Sequence, residues 1–171
     1  GAAYEILELS SVTGQSTDSI QEFAYASEMV GVSSDRIRDS LKEVTNKMQE
    51  ARDGSEDVAA AWDKLGVSIT DAEGNLRSAE DVFYDTIDAL GQVQNRTERD
   101  AIAMDLMSES AQELNPLIDA GSAALRDYAD EAHEMGYVLD NEALTALDNV
   151  DNGFSRLSNT TDALKNQIAA E

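Results

Sequence analysis

Apolar residues recur along this chain at helical spacing, and glycines and capping residues interrupt them at short intervals. Tyr4 to Val12 reads as the end of one helix, closed by Gly14. Thr17 is placed to cap the next, whose Ile20, Phe23, Ala24, Ser27 and Val30 keep a three-and-four spacing up to Gly31. Ser33 or Ser34 opens a third helix, in which Ile37, Leu41, Val44, Met48 and Ala51 form the clearest amphipathic stripe of the first half. Ser55 is placed to cap Glu56 to Leu65, and Gly66 fits the left-handed residue beyond that helix. Trp62 and Leu65 share one side there, which makes Trp62 a core anchor rather than a functional indole.

The period then changes. Val67 to Thr70 alternates briefly and is followed by Asp71, Ala72, Glu73, Gly74 and Asn75, whose turn chemistry predicts a short hairpin or an ordered loop near residues 67–77. Ser78 with Asp81 has capping-box spacing, and Val82, Phe83, Ile87, Leu90 and Val93 give the buried stripe that follows. Thr97 with Asp100 repeats the cap ahead of Ala101 to Met107. Pro116 suits a first helical turn, where its missing N–H costs nothing. Leu117, Ile118, Leu125 and Tyr128 continue that helix, which is expected to bend near Gly121 and to end at Gly136.

Asp140 caps the last and longest segment, in which Ala143, Leu147, Val150, Phe154, Leu157, Thr161, Leu164 and Ile168 alternate spacings of four and three. This pattern fits a coiled-coil seam, and equally a helix laid along a bundle. Gly153 lies beside it and lowers helix propensity by about 1 kcal/mol. The expected architecture is all-α: a multi-helix bundle of short, glycine-punctuated helices over residues 1–137, then a long amphipathic helix over 138–171.

Composition narrows the chemistry. The 171 residues carry a net charge of −23, so phosphate backbones are repelled and nucleic-acid binding driven by charge is disfavoured. Acidity is uneven: Asp127 to Asp151 contains no Lys or Arg, whereas Ser34 to Asp53 is balanced. Asp127, Asp130, Glu131 and Glu134 form a candidate acidic face, either a docking surface for a basic partner or a solvated helix side. There is no cysteine, so disulfide and thiolate chemistry are excluded. No window is apolar enough to predict a membrane span, and Glu5 and Glu8 interrupt the only early apolar run, so no signal peptide is expected.

No catalytic cluster emerges. His133 is the only histidine, placed near a helix C-terminus where a cation is favoured, and Tyr137 stands where an HExxH zinc motif needs its second histidine. The turn from Asp71 offers oxygen ligands but has Leu76 and Val82 where a calcium loop needs glycine and glutamate. Paired carboxylates for glycoside cleavage are permitted by the abundance of acids, yet nothing singles out a pair. No metal, cofactor or catalytic residue is assigned.

The order of these elements carries a resemblance. GSEDVAAAWDKLGVSITDAEGNLRSAED, then DALGQVQNRTERDAIAMDLMSESAQELNPLIDAG, gives a capped helix ending in LG, a tight acidic turn, a second capped helix and an ExxPLIDAG segment. Upstream lies SSVTGQSTDSIQEFAYASEMVGVSSDRIRDSLKEVTNKMQEARDG, and downstream DYADEAHEMGYVLDNEALTALDNVDNGFSRL. This run, from Leu9 to Leu164, resembles the tail tape measure proteins of long-tailed bacteriophages and prophages. Where that family often has an aromatic, a glycine and an arginine, this chain reads Met107, Ser108, Glu109, Ser110 and Ala111, without a glycine for a tight turn.

The resemblance implies a structural role without catalysis in tail length determination and tail assembly. It implies tail tube subunits and tail assembly chaperones as partners, a place in the tube lumen of the virion tail, and earlier residence in the bacterial host cytoplasm. Leu147, Val150, Phe154, Leu157, Leu164 and Ile168 are the candidate interaction face, suited to a homodimer or trimer. An acidic helical module that captures a basic partner, and a cell-wall hydrolase, are the rival readings.

Overall fold

The computed structural model describes residues 1–170. The helices are α1 (Ala2–Thr13), α2 (Thr17–Met29), α3 (Ser34–Arg52), α4 (Glu56–Leu65), α5 (Ala79–Gln92), α6 (Arg96–Met107), α7 (Asn115–Glu134) and α8 (Asn141–Ala170), with a 3₁₀ turn at Ser108–Glu113 before α7. Among the described residues there is no strand. The expected hairpin reduces to one antiparallel bridge between Thr70 and Leu76. Asp71 Oδ1 organises that turn by accepting from the backbone N–H groups of Glu73 (3.0 Å) and Asn75 (2.9 Å). The architecture is all-α and bundle-like, as the periodicity predicts.

Side-chain caps set where the helices start, by satisfying N–H groups that the first turn leaves unpaired. Ser33 Oγ accepts from the N–H of Asp35, Ser78 Oγ from that of Asp81 (3.1 Å), and Asp140 Oδ1 from that of Ala143 (2.7 Å). Two expected caps move by one or two residues. Ser16 caps α2 instead of Thr17, accepting from Ser19 N–H at 3.0 Å, because the Thr17 hydroxyl is taken by Asn141 Oδ1 at the start of α8. Asn95 caps α6 instead of Thr97, accepting from Glu98 N–H at 2.9 Å. Ser55 sits at the N-cap of α4 without a side-chain bond.

The core gathers around α3, which packs against α1, α2, α4, α5 and α6. Its Ile37, Leu41, Val44 and Met48 are buried with Phe23, Trp62, Phe83, Ile87 and Leu90. Trp62 is the anchor its spacing predicts: it is fully enclosed, and its indole N–H donates to Thr86 Oγ1 at 3.1 Å. The Thr86 hydroxyl in turn donates to the Val82 carbonyl, so the buried polar pair leaves no orphan donor. Phe23 meets Phe83 edge-on at 5.0 Å between ring centres. Val30, Leu65 and Val93, at the ends of their stripes, are only partly buried against this core.

Two breaks shape the second half. Gly121 interrupts α7 with φ 82° and ψ 164°, a conformation open essentially to glycine alone. The helix restarts at once because Asp88 of α5 caps the new first turn, accepting from the backbone N–H of Ser122 at 3.0 Å and from its hydroxyl at 2.6 Å. The second break follows α6, where Ser108 holds φ 55° and ψ −145°. The missing glycine does not remove the tight turn there; a serine carries it. Ser108 Oγ donates to Glu43 Oε2 at 3.1 Å, and the buried hydroxyl of Ser40 donates to Ser110 Oγ at 2.8 Å, which pins the turn to α3.

Candidate interaction surfaces

The chain leaves the body between α7 and α8 through a segment tied to α2 at Tyr137, whose ring meets Tyr25, and at Leu139. Gln21, buried on α2, donates from Nε2 to the Leu139 carbonyl at 2.8 Å and accepts on Oε1 from the Leu139 N–H at 2.9 Å. The amide of Gln21 therefore pairs with that residue's backbone as a neighbouring strand would. Together with the Thr17–Asn141 bond it fixes the start of α8 against α2, while Asp140 caps the helix locally.

α8 then packs on α1 through Leu144, which is buried, while Ala143 and Asp148 are half-buried. From Asn149 to Ala170 every residue is exposed. Leu147, Val150, Phe154, Leu157, Leu164 and Ile168 consequently lie uncovered along one stripe, with Phe154 67% and Ile168 72% exposed. The residue that anchors this helix is Leu144, next to the seam and outside it.

The acidic face is built on the second half of α7. Asp127, Asp130, Glu131 and Glu134 are spaced to share one side of the helix, with Glu131 half-buried and the other three exposed. Among the described residues none of the four takes part in an ion pair. The nearby basic side chains are engaged elsewhere: Arg126 lies 3.8 Å from the centre of the Tyr84 ring, and His133 Nε2 sits 2.7 Å from Glu22 Oε2.

Sequence reading missed Glu22 and Glu80, because they come from α2 and α5 and only the packing of these helices on α7 brings them near the face. Donation of a hydrogen bond by the His133 ring to the Glu22 carboxylate raises the His133 pKa above its ordinary value, assisted by the negative charges of Glu22, Asp18 and Asp130. Burial, and then the neighbouring Glu22 charge, raise the Glu80 pKa. Partial burial and the Glu131 carboxylate do the same to the hydroxyl of Tyr25, whose ring meets Tyr137 edge-on at 5.2 Å.

The cleft between α1 and α3 measures about 380 Å³ and is lined by Leu9 and Val12 below a rim of Glu5, Glu8, Asp35, Asp39, Arg38 and Lys42. Arg38 bonds to both Glu5 and Asp35 there, so the rim is cross-linked by its own charges. No group of three or more His, Asp or Glu side chains suited to a metal ion occurs among the described residues. No helix among them is long and apolar enough to cross a membrane.

Residues 5–108 match the family model described as phage-related minor tail protein, a span that runs from within α1 through α6 to Ser108. No curated protein and no solved structure matches the chain.

Proposed function

The chain belongs to the phage-related minor tail protein family, and from that premise we propose that it is a segment of a tail tape measure protein. The observation that carries this reading is the family match over 5–108, together with the ordered run of motifs that resembles tape measure proteins from Leu9 to Leu164. In this role the segment is structural and non-catalytic. It helps to determine tail length within the tube lumen, after a period in the host cytoplasm with tail assembly chaperones, and the tube subunits polymerise around it.

We divide it into a helical body, residues 1–137, and an arm, residues 138–171. The structural reading is supported by two helix faces left without a partner among the described residues and by a cleft between α1 and α3 whose rim charges pair with one another. Each helix in the body starts at its own cap or carries its own stop, so the helices can persist while the joints between them reorient. Laid end to end they convert chain length into distance at about 1.5 Å per residue. In-frame deletion of Gly14 to Ile168 from the parent gene is expected to give tails shorter by about that increment per deleted residue, measured by electron microscopy. Tails of unchanged length overturn the ruler role.

The second reading, an acidic module for a basic partner, is favoured by one observation: Asp127, Asp130, Glu131 and Glu134 stand side by side with no cation paired to them. It predicts that a basic tail protein binds in a salt-dependent manner and is lost on neutralising Asp130, Glu131 and Glu134. The uncovered stripe on α8 is the surface we assign to self-association.

A further inference from the structure

We propose that the arm of α8 pairs with the same arm of a second copy of this chain, antiparallel, in a two-helix coiled coil centred near Asn159. This deepens the self-association assigned to that stripe by naming its stoichiometry, direction and register. The first ground is that the arm needs a cover. From Asn149 to Ala170 it is a solvent-exposed helix that includes Asn149, Asn152, Gly153, Ser155, Ser158, Asn159, Thr160 and Asn166, all modest or poor helix formers. A helix of this length and composition is marginal in water unless its apolar stripe is packed.

The second ground is charge. The molecule as a whole carries −23, yet residues 149–170 contain two acids, Asp151 and Asp162, balanced by Arg156 and Lys165. Two such arms meet without the repulsion that two acidic surfaces impose, and the arm offers a basic partner no net attraction. A second copy is therefore the occupant that suits it.

The third ground is register. Taking Leu147, Phe154, Thr161 and Ile168 as a positions puts Val150, Leu157 and Leu164 at d, and leaves Asp151 and Lys165 as the only charged residues at the flanking e and g positions. In an antiparallel pair, e faces e and a packs opposite d. Aligning Asp151 with Lys165 of the second copy sets Val150 against Ile168, Phe154 against Leu164, and Leu157 against Thr161, then repeats these layers in reverse. All the layers contain at least one large apolar residue, and each end brings Asp151, whose carboxylate lies beside Gly1 of its own chain, to Lys165 of the second copy. A parallel pair in register brings Thr161 onto Thr161 and pairs Gly153 with Ser158 and Thr160 with Lys165 at the flanks, which offers no charge complementarity. The antiparallel choice also sends the two bodies to opposite ends of the coil.

The test begins with sedimentation equilibrium of the 171-residue chain, where a monomer–dimer equilibrium is expected and Phe154→Asp with Leu157→Asp is expected to leave monomer. Direction is read by crosslinking, which the absence of native cysteine makes clean. Val150→Cys protein and Ile168→Cys protein, oxidised separately, are expected to stay uncrosslinked, and to form a covalent dimer when mixed. Asp151→Lys alone should weaken the dimer, and adding Lys165→Asp should restore it. A persistent monomer, a trimer, or a Val150→Cys self-crosslink overturns the proposal. None of these outcomes bears on tail length, so the ruler role stands or falls separately.

Discussion

At the scale of single residues, Ser108 is the position where chemistry and backbone disagree. Its φ of 55° with ψ −145° belongs to territory that side chains avoid, and strain of this kind is of order 1–3 kcal/mol. The serine retains one compensation, its bond to Glu43. Replacing Ser108 by alanine removes the bond and keeps the strain, while replacing it by glycine removes both. Ser108→Gly is therefore expected to exceed Ser108→Ala in stability by about 1 kcal/mol in urea unfolding, although glycine is otherwise the costlier residue.

His133 is the other informative residue. Its pKa is raised in the folded chain by the Glu22 hydrogen bond, so the pair stabilises fully below the unfolded value near pH 6.5. That contribution fades as the pH rises through the folded pKa. NMR titration of the His133 ring should give a midpoint above the ordinary histidine range, and Glu22→Gln should bring it down.

At the scale of elements, the helices were legible because each apolar stripe runs between a cap and a stop, and both ends have local causes. The cap shifts from Thr17 to Ser16 and from Thr97 to Asn95 show the limit: adjacent hydroxyl and amide side chains compete for one role, and a distant partner such as Asn141 decides between them. Gly121 was legible as a bend, whereas Asp88, which makes the bend tolerable, was not, since it lies on another helix. A side chain at Gly121 meets no neighbouring atom within 4 Å, so the cost of Gly121→Ala is conformational. A loss of roughly 1–3 kcal/mol in chemical unfolding is expected, with the melting transition staying single. The acidic face was readable from the helical spacing of Asp127, Asp130, Glu131 and Glu134, while Glu22 and Glu80 became visible only once α2 and α5 were packed.

At the scale of the whole molecule, a body with its core around Trp62 and an arm exposed from Asn149 to Ala170 are joined where Leu139 meets Gln21. A connection between two such parts is ordinarily a swivel, and here a single buried amide stands where the pivot would turn. Gln21→Ala removes both of its bonds to Leu139 and leaves backbone groups half-buried without partners, a loss of about 1–3 kcal/mol. Small-angle scattering of that variant should broaden the distribution of longest dimensions, with the helix content by circular dichroism nearly unchanged. The unaltered chain, by contrast, aims its arm. With its base tethered at Leu139, the arm is expected to sweep a narrower cone than in Gln21→Ala, so that an approaching helix meets the stripe in a more constant direction.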